Sequence, residues 1–246
     1  MSEEREFYVG YLPNQPPGIA KFMVRVVFGL LSLVAALAYF VPQLHEPYDA
    51  GRSDFRDTRE FEGTLIVDPS PRLVSGLPGG DGVKSYLLVG RGKSGPKIDV
   101  EGLAGKEVKI SGTLIYRESD TLISVKSAEA TGGSRETPSE ERSLGSLTLR
   151  GDIVGSKCYY GTMRPGSTKV HRACAARCIL GGVPPVLIAR NANGAEVGFL
   201  LADSAGGAVN DRVRDHIAEP VEITGQVIVR DGALILQADP ETYRRL

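Results

Sequence analysis

The sequence has no tryptophan, and only three cysteines and three histidines in 246 residues. It contains no Ser-His-Asp order and no carboxylate pair at motif spacing, so the common hydrolytic designs have no candidates. The net charge is -1, so no global basic field points to nucleic acid. The one local imbalance is the reverse of a lack: Ile153 to Ala195 contains no Asp or Glu but holds Lys157, Arg164, Lys169, Arg172, Arg177 and Arg190. What is abundant is glycine, 30 residues, with frequent β-branched runs. That combination predicts β-rich domains with many turns.

One stretch is not globular. Phe22–Leu44 is apolar, and from Val26 onward it carries no charge. That length spans a bilayer core of about 30 Å. Arg25 sits at one end, where its stem can snorkel. Tyr39 and Phe40 sit at the other, where interfacial aromatics belong. The rival is a cleaved signal peptide, because Ala36–Ala38 has a small-x-small form. The long leading segment and the apolar run beyond that site favour an uncleaved anchor. Lys21 and Arg25 lie closest to the membrane, which places the tail 1–21 inside and the rest outside. In a bacterium this is a single-pass inner-membrane protein with a periplasmic body. Tyr8 and Tyr11, in the tail, are candidate contacts with the membrane or a membrane partner, as is Tyr39.

The remainder divides at 131–146, a polar Gly/Ser/Pro-bearing linker, with a shorter linker at 45–56. The two halves, 57–130 and 147–246, carry one pattern. Val108, Ile110, Gly112, Leu114 and Ile115 match Val221, Ile223, Gly225, Val227 and Ile228. Each run alternates with period 2, as a strand with one buried face does. Each is followed by a turn (Glu118–Asp120, Asp231–Gly232) and a second strand. Upstream, Phe61–Val67 aligns with Leu149–Gly155, pairing Gly63 with Gly151, and Tyr86–Gly95 aligns with Val186–Gly194. Mid-strand glycines predict bends or bulges.

These strand pairs, and the G-K-x-V-x-I-x-G-x-L run at Gly105–Leu114 with its hairpin, resemble bacterial OB-fold modules. The expected fold is all-β: two tandem small OB-like barrels, one short helical insert in the second, and a single transmembrane helix in front. The resemblance implies binding of nucleic acid or oligosaccharide. The interleaved aromatic and basic residues of a single-strand binding face are missing, so nucleic acid is not expected. An exported barrel behind one anchor is also similar in architecture to the haem chaperone of cytochrome c maturation, which has one barrel and a different haem-binding segment.

The second half exceeds the first between its first two aligned strands, and the surplus is the insert, 156–183. Its alanines and terminal glycine predict a helix capped by Ser167 or Thr168, with Gly181 just past the end. His171, Cys174 and Cys178 then share one face, and Cys158 arrives from the preceding strand end. Together they form a Cys₃His set suited to zinc. Met163 would add a thioether and favour copper. The C-x3-C element resembles that of dinuclear copper centres, which would need a second histidine, His216 or His45. Haem and iron–sulfur lack their usual motifs here.

The alternative is a structural disulfide. Cysteines four apart on a helix hold Cβ atoms about 5–6 Å apart, against about 3.8 Å in a disulfide. Cys158 is therefore the bridging partner in that reading. A third reading is thiol redox chemistry. The basic residues Lys157, Arg164, Lys169, Arg172 and Arg177 would support thiolates, an anionic ligand, or an acidic partner. The expectation is a metal-binding accessory subunit of a redox or respiratory membrane assembly, with an enzymatic thiol redox activity ranked third. Its cofactor would be zinc or copper, and its partners the membrane and the other subunits. The alternative is a scaffold module stapled by a disulfide.

Overall fold

The structure is a computed structural model that describes residues 16–44, 51–77, 82–117, 120–133, 141–161, 163–191 and 193–246. The chain forms two compact units, Met1–Tyr48 and Asp49–Leu246. The tail residues Tyr8 and Tyr11, His45 and the turn residues Glu118 and Ser119 lie outside the described residues.

The first unit is the helix α1, Pro17–Leu44. It begins five residues before the sequence suggests, with Pro17 at its first position, where a missing N–H costs nothing. None of its residues is buried, and its length and hydropathy suffice to cross a membrane. Tyr39 is exposed and packs edge-on against Phe40.

The second unit is two closed five-stranded barrels. Ahead of them β1 (Arg52–Ser53) lies in the stretch read as a linker and pairs with Tyr116 and Ile115. The first barrel uses β2 (Arg59–Ile66), β3 (Arg72–Gly76), β4 (Val83–Val89), β5 (Glu107–Arg117) and β6 (Asp120–Ala130). Their order is β5-β2-β3-β4-β6, closed by β5 on β6. Only β4–β6 is parallel among these pairs. The second barrel uses β7 (Glu141–Gly155), β8 (Pro185–Arg190), β9 (Glu196–Ala202), β10 (Pro220–Arg230) and β11 (Ala233–Gln237). It repeats the order, with β9–β11 as the parallel pair and β10 on β11 closing it. A last short strand, β12 (Arg244–Arg245), adds to β10.

The hairpin signals hold at the second barrel. Asp231 and Gly232 both have positive φ (52° and 76°), the conformation of a two-residue primed turn. It sets Arg230 opposite Ala233. Gly63 and Gly151 occupy matching places. A Cβ on Gly63 would lie 2.3 Å from the Val74 carbonyl, and one on Gly151 2.1 Å from that of Ile188. Only glycine lets first and second strands approach this closely.

That match corrects the upstream alignment. Tyr86 lies in the third strand of its barrel and Val186 in the second of the other. The true partners are β3 with β8, and β4 with β9. The connection from first to second strand is therefore 67–71 in one barrel and 156–184 in the other. The insert is that whole connection. Residues 141–146, read as linker, belong to β7 and pair with β10.

Each barrel has its own apolar interior: Leu65, Leu73, Leu88 and Ile110 in the first, and Ile153, Leu187, Ile223 and Leu236 in the second. A third cluster joins them. Val89, Ile115 and Leu122 of the first barrel pack with Val186, Leu200, Ile228 and Ile235 of the second. Burying each such side chain contributes about 1.5–3 kcal/mol. Cys158, Tyr159, Tyr160 and Cys178 belong to this shared layer.

Candidate metal centre

The insert leaves β7 at Gly155 and forms a short helix, α2 (Ser156–Tyr160). Cys158 thus sits on a helix rather than on a strand end. After a loop and a single 3₁₀ turn at Lys169–His171, the chain enters α3 (Arg172–Leu180). The predicted helix is present, but its predicted cap is not. Thr168 has φ 66° and caps nothing with its side chain, and no side chain caps α3 either. The exit is firmer. Val183 N–H donates to the Cys178 carbonyl and Gly182 N–H to that of Ile179, which is the Schellman pattern. The left-handed residue is Gly182 (φ 92°), one later than expected. Asn210 fastens this exit by donating to the Ile179 and Val183 carbonyls at 2.8 and 3.0 Å.

α3 turns Ala175 and Ile179 into the second barrel's core and Cys174 and Cys178 toward the shared layer. There they meet Cys158. The Cys158 Sγ lies 3.3 Å from Cys178 Sγ and 3.8 Å from Cys174 Sγ. All three sulfurs lie within 4.8 Å of one another. Zinc–sulfur bonds of about 2.3 Å in a tetrahedron set sulfurs about 3.8 Å apart. The trio is therefore spaced to hold a metal ion with small adjustments. All three are free thiols. Cys158 and Cys178 are buried, and Cys174 is half-buried.

His171 stands outside that trio. It is buried, and its Nε2 has no hydrogen-bond partner. Burial, then the nearby Lys93 ammonium, holds its pKa below the usual imidazole range, so the ring is neutral and able to ligate. Met163 is exposed in the loop after α2. His216 packs edge-on against Tyr243.

The electrostatics favour a thiolate. The hydrogen bond from Cys158 brings the Cys178 thiol down to about 7 against the opposing effect of burial, helped by Cys174, Lys93 and Lys157. The same bond pushes Cys158 up, together with its burial. Lys93 comes from the first barrel, in the loop after β4, and sequence reasoning did not single it out. Contact with Cys174 raises its pKa. The loop is pinned across the barrels. Lys157 donates to the carbonyls of Gly90 and Gly92, and Gly95 N–H donates to the Gly181 carbonyl at 2.7 Å. Burial lowers the Lys157 pKa, and the charges of Cys178 and Cys158 oppose that.

The acid-free stretch is not a free basic face. Lys169 and Arg172 both pair with Glu219, at 3.2 and 2.7 Å. Arg190 pairs with Glu196. Arg164 donates to the Gly51 carbonyl. Arg177 is exposed and has no acidic partner among the described residues. The carboxylates come from elsewhere in the chain, which a local reading of charge misses. Compared with known proteins, the chain matches no protein-family model, no curated protein and no solved structure.

Proposed function

We propose that this protein is a membrane-anchored, metal-binding accessory subunit of a redox or respiratory assembly. In this reading α1 anchors the chain in a bacterial inner membrane and the barrels stand in the periplasm. Each barrel is read as OB-like. Both have the order first-second-third-fifth-fourth, with a single parallel pair between third and fifth. The insert then occupies the connection between the first two strands, which OB barrels use for binding.

The observation that carries the proposal is the convergence of three buried or half-buried sulfurs within 4.8 Å, drawn from two helices of one insert. Cys158, Cys174 and Cys178 are the ligands, and His171, whose Nε2 has no hydrogen-bond partner, is the candidate for a fourth. The donor set suits zinc or copper. A bound metal there would cross-brace α2 and α3 under the first barrel's loop, or carry an electron if it is copper.

One distance favours the second reading, a scaffold held by a disulfide. The 3.3 Å between Cys158 and Cys178 makes that the pair to oxidise. The test is full-length protein purified in detergent without reductant, with metal content and free thiols measured on one sample. One metal per chain, abolished by Cys178→Ser, is the expected result. No metal and one free thiol would overturn it in favour of the disulfide. Intact mass and N-terminal sequence of the same sample decide whether α1 is retained or removed as a signal sequence.

A further inference from the structure

Resting on the metal-binding reading, the geometry points to a three-coordinate, soft monovalent cation, Cu(I), as the ion for which this site is built, with Lys93 of the first barrel setting that preference.

Two independent counts lead there. The first is of ligands. Three sulfurs lie within 4.8 Å of one another, and His171 is not among that group. Structural zinc takes four ligands in a closed tetrahedron. Soft Cu(I) is selected by thiolates, and three of them complete a trigonal site.

The second count is of charge. Three thiolates bring three negative charges. The Lys93 and Lys157 ammoniums bring two positive ones, and both act on Cys178. One more positive charge makes the site neutral, whereas two leave it net positive. Cys158 and Cys178 are both buried in the shared layer, at 5% and 1% exposure. Net charge in such a place is costly because water cannot solvate it. Neutrality therefore favours the monovalent ion. On binding, the cation replaces the thiol protons, which leave to solvent, and no electron is exchanged. Half-buried Cys174, next to the exposed Lys93, is the way in.

The experiment uses the full chain in detergent, anaerobic and with reductant, titrated with Cu(I) and with Zn(II) against chromophoric competitors. X-ray absorption on the copper form should give three sulfurs and no nitrogen. Lys93→Gln removes one positive charge and so rebalances the site for a divalent ion. It should lower the ratio of Cu(I) to Zn(II) affinity by about tenfold, the size of a modest change in one charge interaction, while Lys93→Arg should restore it. A merely structural lysine would change both affinities together. An unchanged or increased ratio, or a histidine nitrogen on copper, would overturn the inference. If neither ion binds and only one thiol is free, the metal-binding reading itself falls.

Discussion

At the scale of single residues, the most exposed to test is a charge buried between the barrels. Arg72, on β3 of the first barrel, is fully buried. Its guanidinium faces Asp231 in the hairpin of the second, 3.4 Å away, and donates to the Asp68 carbonyl. Burial pulls its pKa below the ordinary arginine value, and the Asp231 charge counters that. Its Nε has no partner, and besides Asp231 the Asp68 charge also favours the cation. Asp231→Asn keeps the shape and tolerates the positive φ, but strips the countercharge. Removing one partner of a buried pair costs about 3–5 kcal/mol. We expect a loss near the lower end, read from the urea midpoint. Replacing the cation too, as Arg72→Met with Asp231→Asn, should recover most of it, because an apolar pair leaves no stranded charge. A single-variant loss below about 1 kcal/mol, the ceiling of surface pairs, would contradict this account.

At the scale of elements, α3 is held between a barrel core on one side and a first-barrel loop on the other. A Cβ on Gly181 would stand 2.3 Å from the Lys93 carbonyl oxygen. Gly181→Ala must therefore push that loop away, while Gly182 still closes the Schellman turn. The expected outcome is three free thiols under reductant, as in the parent chain, with metal affinity reduced because Lys93 recedes from Cys174. Unaltered affinity would mean the loop does not matter to the site.

The helix itself was legible in sequence. Its alanines, terminal glycines and following prolines act locally, and so does the Asp-Gly hairpin. Two strands were not. β3 begins with the buried Arg72, which breaks the apolar pattern from which strands are read. β9 ends in four consecutive buried residues, Phe199–Ala202, with no alternation to mark it. Both losses shifted the alignment of the halves, pairing the third strand of one barrel with the second of the other. The three sulfurs were legible as a group because they are close in sequence. Lys93, Glu219 and Glu196 were not, because the chain brings them in from other elements.

At the scale of the whole body, Asp49–Leu246, the barrels are tied by polar contacts as well as by the shared apolar layer. Arg117 of β5 pairs with Glu196 of β9 at 3.0 Å and lies 4.2 Å over the Tyr159 ring. The Tyr159 hydroxyl donates to the same carboxylate, and Arg190 pairs with it from β8. Burial works against the Glu196 charge. The hydrogen bonds from Tyr159 and Arg190 and the Arg117 charge outweigh it, so its pKa lies below the usual glutamate value. The linkage has a definite sign. A carboxylate depressed in the folded state stabilises fully above its unfolded pKa of about 4.3 and loses that contribution as pH falls through the folded value. Asp152, nearby, shifts the other way through burial, so it does not mimic the effect. Glu196→Gln should therefore lower stability at pH 7 and flatten its fall on acidification below about pH 4. Urea midpoints at the two pH values, for both chains, measure this. Equal acid slopes would show that Glu196 is not a pH-dependent tie between the barrels. A flattened slope would make this junction, one residue along from Cys158, the acid-sensitive part of the frame that holds the sulfurs together.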